Sequence, residues 1–357
     1  DAGYYLVYVT GGKEIQSSLV TVDASTNTVN LKTEAPSINK TADKATAEIG
    51  QIVTYTVTGV IPDTTGYDSY VYKINDELTK GLDFVNDANG TACTDNKVAV
   101  KVAFTDGTDA STAPTTAALA TNNSKKMSLD LSTWVRANQG NKGKAFTVTY
   151  YAKVNKDAEV TNNNKASLEY GNNPNDTTTT KPSEAKTSTY PLDIKKINKN
   201  TSGLLAGAKF SLYRTAQDAK DKTNAITVSG SNGSYVVDAD SKNTVFESVA
   251  TKVGNGYNLH LNGLAAGDYW LVETQAPEGF NKLTDPIKVT ITKAGDAEWN
   301  VQKNDEPETD KIIDVENSTG SLLPSTGGRG AIAFAVIAAL LVFGVVVSFI
   351  RDKRKEA

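Results

Sequence analysis

The chain has 357 residues, room for two or three domains, and carries 37 basic and 41 acidic residues for a net charge of −4. The segment after Thr326 holds five of the basic and two of the acidic residues; without it 32 basic and 39 acidic residues remain, a net charge of about −7 that argues against nucleic acid as a partner. One cysteine, Cys93, excludes an internal disulfide, and one histidine, His260, with no cysteine cluster gives poor support for a zinc-type site.

Strand patterns dominate. Gly3-Tyr4-Tyr5-Leu6-Val7-Tyr8-Val9 reads as an interior strand and not as a secretion signal, so residues 1–33 are expected to be the C-terminal remnant of a truncated first unit. Its end, Thr28-Val29-Asn30-Leu31-Lys32-Thr33, brings a lysine to the junction with the next unit, residues 34–170. There Val53, Tyr55 and Val57 alternate with threonines, and Phe146, Val148, Tyr150, Ala152 and Val154 repeat the period of two that marks half-buried strands. Leu129 to Ala137, around Trp134, predicts one short turn of helix. Asp106-Gly107 and Asn232-Gly233 predict tight turns.

Residues 171–189, with Pro174, four consecutive threonines and Pro182, predict a polar extended linker before a third unit at 190–318. Many short strands in units of this size predict an all-β chain of tandem antiparallel sandwiches of immunoglobulin type. The rings of Tyr4, Tyr5, Tyr151 and Trp270 are assigned to sandwich core, Cys93 to a polar loop as a bystander thiol, and His260 to a structural role between Leu259 and Leu261.

The C-terminus is the most specific part of the sequence. Residues 319–329 form a short tether containing Leu323-Pro324-Ser325-Thr326-Gly327. Residues 330–350 follow, uncharged from Ala331 to Ile350, and about 20 such residues suffice to span a bilayer as a helix. The tail 351–357, with Arg351, Lys353, Arg354 and Lys355, is expected to stay cytoplasmic, which puts everything before Leu323 outside the cell. Motif, span and basic stop in this order resemble the cell-wall sorting signal of Gram-positive surface proteins. The resemblance implies a sortase as partner, cleavage between Thr326 and Gly327, transfer of the Thr326 carbonyl to an amine, and peptidoglycan as the eventual anchor.

In the third unit, Leu205-Ala206-Gly207-Ala208-Lys209-Phe210-Ser211-Leu212-Tyr213 and the run from Gly263 to Phe280, with Glu273-Thr274-Gln275-Ala276-Pro277, resemble a Cna-B-type domain. That family joins a first-strand lysine to a last-strand asparagine with help from the glutamate of the second segment, which implies Lys196, Asn317 and Glu273. Strand periodicity agrees: Leu192, Ile194 and Lys196 share a face, as do Ile313, Val315 and Asn317, and Leu271 with Glu273. Lys195 is the neighbouring contender but should point the opposite way. Buried there, the lysine would lose its charge readily and attack the asparagine carbonyl while a protonated Glu273 polarises it, releasing ammonia.

The second unit resembles an isopeptide-forming fimbrial middle domain, through Gly50 to Val57, Tyr72 to Leu82 and Asn162 to Pro174. The resemblance implies Lys40 and Asn164 as the joined pair and Asp76 as the acid. Three consecutive asparagines leave the choice open, with Asn162 on the same face as Asn164. Lys32 occupies the position of the reactive lysine of backbone pilins, although Asn30-Leu31 and Thr33 depart from that family's segment. The whole resembles a sortase-assembled backbone pilin, in which Lys32 attacks the acyl-enzyme formed on Thr326 of an identical subunit. Minor pilins and host matrix or glycan ligands are further partners that the resemblance allows. A monomeric wall-anchored adhesin, or a minor pilin, is the alternative. No hydrolase triad or carboxylate pair suggests an enzyme acting on an added substrate, and neither cofactor nor metal is expected.

Overall fold

A computed structural model describes residues 1–8, 17–25 and 35–320, so Lys32, the sorting motif from Leu323 to Gly327 and the expected membrane span lie outside the described residues. Among the described residues no helix is long and apolar enough to cross a membrane. At the N-terminus β1 (Gly3–Tyr8) and β2 (Ser17–Val22) pair antiparallel, Leu6 opposite Leu19. Tyr4 and Tyr5 do not enter a core: they are 78% and 42% exposed on this two-stranded ribbon.

The middle unit contains β3 (Asn39–Ala42), β4 (Ile52–Val60), β5 (Val71–Leu78), β6 (Leu82–Val85), β7 (Lys97–Ala99), β8 (Lys101–Phe104), β9 (Thr116–Ala120) and β10 (Asn123–Asp130). A short helix α1 (Ser132–Ala137) follows, then β11 (Ala145–Val154), β12 (Asn162–Gly171), β13 (Thr178–Thr179) and β14 (Ser183–Thr187). The helix starts three residues later than the sequence suggests, because Leu129 to Asp130 remain paired to Ile74 and Lys73 in the sheet. One sheet runs β3-β4-β11-β6 with β8 also on β11; the other runs β13-β12-β5-β10-β9-β7 with β14 also on β12. The period-two strands behave as expected. Val53, Tyr55 and Val57 on β4 and Phe146, Val148 and Tyr150 on β11 are all fully buried against the facing sheet. The Tyr72 and Phe146 rings meet across the sandwich, 6.0 Å between centroids.

The stretch expected to be a linker contributes two strands to the middle unit. Residues of β13 pair with Glu169 and Tyr170, and β14 pairs with Asn162 to Ala166. Polar composition concealed this: Thr187 and Thr189 are buried, their hydroxyls satisfied by donating to the Lys44 and Ala47 carbonyls at 2.9 and 2.8 Å.

The third unit contains β15 (Tyr190–Asn198), β16 (Lys209–Tyr213), α2 (Ala216–Asp221), β17 (Val228–Ser231), β18 (Ser234–Val237), β19 (Phe246–Glu247) and β20 (Leu259–Leu264). It ends with β21 (Gly267–Gln275), β22 (Ile287–Lys293), β23 (Trp299–Lys303), β24 (Glu306–Glu308) and β25 (Ile312–Asn317). The helix α2, capped by the Thr215 hydroxyl accepting from Asp218 N–H, has no counterpart in the sequence reading. Its sheets run β17-β18-β20-β15-β25 and β19-β16-β21-β22-β23-β24. The β17–β18 hairpin turns on Asn232 and Gly233, both at positive φ (53° and 78°), as an Asn-Gly pair favours. Pairing is not antiparallel throughout. The first and last strands, β15 and β25, run parallel, as do β18 and β20. Trp270 and Tyr151 are only half-buried; the alternation gives the core positions to Tyr269 and Tyr150 beside them.

The two sandwiches meet over a polar seam. Ile49 N–H donates to the Gly263 carbonyl at 3.0 Å, Lys156 pairs with Asp238 at 2.6 Å and Lys186 with Asp296 at 2.8 Å, while Arg214 binds Glu48. Gly263 has φ +111°, and a Cβ there would stand 2.5 Å from Ile49 Cδ1.

Candidate functional site: a buried amine, acid and amide in each sandwich

In the middle unit β3 carries Lys40 on one sheet, while β5 and β12 carry Asp76 and Asn164 on the other. Register sets Ala166 opposite Asp76 and Asn164 opposite Leu78, so acid and amide are diagonal neighbours on the inner face. All three side chains are buried, Lys40 and Asp76 with no exposed side-chain surface. Lys40 Nζ lies 2.5 Å from Asp76 Oδ2. The rings of Tyr55 and Tyr150 face the amine, each centroid 4.6 Å away.

Burial lowers the Lys40 pKa to about 8 against the opposing pull of Asp76, and burial raises that of Asp76 against the opposing pull of Lys40. Both shifts favour the neutral amine and the neutral acid. The Asn164 amide lies against the Asp76 carboxyl and the Tyr150 hydroxyl, yet neither of its polar atoms makes a well-directed hydrogen bond, and Asp76 Oδ1 is likewise unpartnered. Asn162, the alternative, is engaged: its Nδ2 donates to the Glu159 and Thr187 carbonyls at 2.8 and 3.2 Å, and its Oδ1 accepts from Glu159 N–H.

The third unit assembles the same groups differently. Lys196 on β15 and Asn317 on β25 sit on adjacent parallel strands of one sheet, and Glu273 on β21 reaches them from the facing sheet. Lys196 Nζ donates to the Val315 carbonyl at 3.0 Å and stands 3.7 Å from Glu273 Oε1. Asn317 Nδ2 donates to Glu273 Oε2 at 2.9 Å and to the Asn281 carbonyl at 2.6 Å, while Leu283 N–H fixes that same carboxyl oxygen at 2.8 Å. Burial lowers the Lys196 pKa to about 8 although Glu273 opposes it. Lys195 points outward, 3.9 Å from Asp314.

Five of the eleven buried side-chain atoms without a hydrogen-bond partner among the described residues belong to these two clusters: Asp76 Oδ1, both Asn164 atoms, Glu273 Oε1 and Asn317 Oδ1. Buried polar groups left unpaired cost on the order of 1–3 kcal/mol each, so their concentration beside two lysines calls for a chemical explanation. A dry amide carbonyl beside an amine of lowered basicity and an acid is arranged for aminolysis.

Sequence reasoning missed two participants. Tyr150 donates to Asp76 Oδ2 at 2.5 Å and accepts from Lys40 Nζ; its inward place on β11 was legible, but its hydroxyl chemistry was not. Asn258, fully buried, accepts from Lys196 N–H at 2.7 Å and donates to the Val249 and Leu205 carbonyls, holding the lysine's strand in place. Cys93 packs half-buried, its Sγ 3.4 Å from the Phe84 carbonyl, and His260 Nδ1 pairs with Asp193 at 2.6 Å. Among the described residues no group of histidine, cysteine and acidic side chains could hold a metal ion.

Residues 191–306 match the family described as SpaA, a prealbumin-like fold domain. The architecture is that of solved Gram-positive pilus-backbone proteins. The major pilin SpaA of Corynebacterium diphtheriae is similar with a TM-score of 0.54 at 19% identity, over 89% of this chain and 81% of that one. The pilus backbone RrgB of Streptococcus pneumoniae gives a TM-score of 0.51 at 17% identity, over 80% of this chain and 100% of that one. The fimbrial subunit type 1 of Actinomyces viscosus is 30% identical over 167 residues, which are 42% of this chain and 29% of that protein, so the matched region spans under a third of that relative's length.

Proposed function

We propose that the chain is the structural backbone subunit of a covalently polymerised Gram-positive pilus, stiffened by intramolecular amides between Lys40 and Asn164 and between Lys196 and Asn317. One observation carries this reading: each of two successive sandwiches buries a lysine, an acid and an asparagine side by side. Asp76 and Glu273 serve as the acids of a reaction that each unit performs once on itself, with no turnover of an outside substrate. The similarity to pilus backbones and to a fimbrial subunit supports the assignment of such a fold to a shaft. The sorting motif supports attachment by a sortase through Thr326, first to Lys32 of the next identical subunit and finally to peptidoglycan, from a precursor held in the membrane by residues 330–350.

The alternative, a wall-anchored adhesin or minor pilin, uses the same modules but needs no junction lysine. Lys32→Ala separates the two. Wall extracts on denaturing gels are expected to show a high-mass ladder for the parent and only single subunits for the variant. A ladder unchanged by the substitution rules out Lys32 as the acceptor, and absence of any ladder in the parent favours the adhesin.

A further inference from the structure

Resting on the amide reading of the middle unit, we propose that Tyr150 is a catalytic residue of that unit's self-joining reaction, relaying protons between the Lys40 amine and the Asp76 carboxyl. The third unit provides the contrast. There the amine lies 3.7 Å from its acid, and its hydrogen bond is to a backbone carbonyl. In the middle unit the amine, the hydroxyl and one carboxyl oxygen close a triangle: Lys40 Nζ donates to Tyr150 and to Asp76 Oδ2, and Tyr150 donates to the same Oδ2. A phenol that both accepts from the nucleophile and donates to the acid is a two-way conduit.

The triangle also directs the carboxyl. With Oδ2 occupied twice, Oδ1 is the unpartnered oxygen left for the Asn164 amide, whose Oδ1 and Nδ2 are themselves unpartnered. Both the acid and the hydroxyl lie against that amide. The fully buried site keeps water from substituting for the relay.

The proton count closes. The Lys40 ammonium first gives a proton to the Asp76 carboxylate, leaving a neutral amine and a neutral acid. Nζ then bonds to Asn164 Cγ while the Asp76 proton moves to Nδ2. The new Nζ centre must lose one further proton at this point. Tyr150 accepts it and passes its own hydroxyl proton to the emptied carboxylate. The Cγ–Nδ2 bond breaks, ammonia leaves, the amide carbonyl re-forms, Tyr150 is unchanged and Asp76 ends as the neutral acid.

Tyr150→Phe keeps the ring that stacks on Tyr55 at 5.9 Å and removes only the hydroxyl. Tyr72→Phe removes an equally buried hydroxyl from β5 that contacts neither Lys40 nor Asp76 and serves as the control. Chains produced by cell-free synthesis are sampled over time for the loss of about 17 Da in the peptides bearing Lys40 and Asn164, with the third unit's bond in the same chain as internal reference. Tyr150→Phe is expected to slow the middle-unit bond by at least about 100-fold, the scale of general acid–base assistance, with the third-unit bond and Tyr72→Phe at the parent rate. Bonding of Tyr150→Phe within about threefold of the parent, or equal slowing by Tyr72→Phe, overturns the relay. If Tyr150→Phe fails to fold, 3-fluorotyrosine in place of Tyr150 keeps the shape and acidifies the hydroxyl; the relay requires a displaced pH–rate profile, and an unmoved one overturns it. A parent chain without mass loss in the middle unit removes the amide reading itself, and this inference with it.

Discussion

Glu273→Gln is expected to leave the third unit unjoined and markedly less stable, with the middle unit unaffected. The substitution preserves size and removes the proton carrier at the point where Asn317 Nδ2 and Leu283 N–H converge on one carboxyl oxygen. Lys196 and Asn317 lie 121 residues apart, so the proposed bond between them would close nearly the whole unit. Treated like a disulfide of that span, it constrains the unfolded chain by about 5 kcal/mol. For a unit of this size that corresponds to a fall in Tm of roughly 15–25 °C. Calorimetry of the soluble region reads the change directly. The variant should also retain only the middle unit's mass deficit. An unchanged melting profile together with an unchanged mass would show that Glu273 has no part in joining the strands.

Under tension the two units are expected to respond differently, because the proposed bonds stand in different places relative to the chain's exits. In the third unit β15 begins at Tyr190 and β25 ends at Asn317, so a Lys196–Asn317 bond carries load past everything between. In the middle unit the chain continues beyond Asn164 through the rest of β12, then β13 and β14, before leaving at Ser188. Thr187 lies beside Asn162 and Ala185 beside Asn164, so tension between Asn164 and Ser188 opens that hairpin from its free end, one hydrogen bond after another. Unzipping of this kind needs less force than shearing a sheet. Residues 165–187, fully extended at up to about 3.5 Å each, release at most about 80 Å. Single-molecule pulling should therefore show one short extension from the middle unit and none from the third. Release of the whole segment between Lys40 and Asn164, on the order of 400 Å, would mean that no bond bridges it.

The contrast between legible and hidden features has a physical basis. Lys196, Glu273 and Asn317 could be read because each continues an apolar alternation, Leu192-Ile194, Leu271 and Ile313-Val315, onto the inner face of a strand, and every one of these side chains is buried. Lys40 and Asp76 follow the same rule. Among the three asparagines, periodicity allowed Asn162 as readily as Asn164; what sets them apart is that Asn162 is occupied by hydrogen bonds to Glu159 and to the Thr187 carbonyl. Tyr150 reads as core because a tyrosine ring on an inward position is core, and nothing local tells where its hydroxyl ends. The strands at 178–179 and 183–187 were hidden by threonine-rich composition, since what holds them is backbone pairing with β12 and not a run of apolar side chains. Parallel pairing of β15 with β25 joins segments more than a hundred residues apart, beyond the reach of any local pattern.

The fold places the proposed bonds in complementary ways: across the two sheets in the middle unit, between neighbouring strands of one sheet in the third. In both, burial does the chemical preparation. It holds each lysine near a pKa of about 8 and leaves the amide without a competing partner for its oxygen. In a chain with one cysteine, such bonds would supply covalent reinforcement that needs no oxidant.

The most direct measurement is the intact mass of the soluble region, followed by digestion. Joining both pairs predicts a mass about 34 Da below that of the sequence, from two lost ammonia molecules, and two branched peptides linking Lys40 to Asn164 and Lys196 to Asn317. A mass equal to the sequence, with all four residues recovered in linear peptides, would contradict the account at its root.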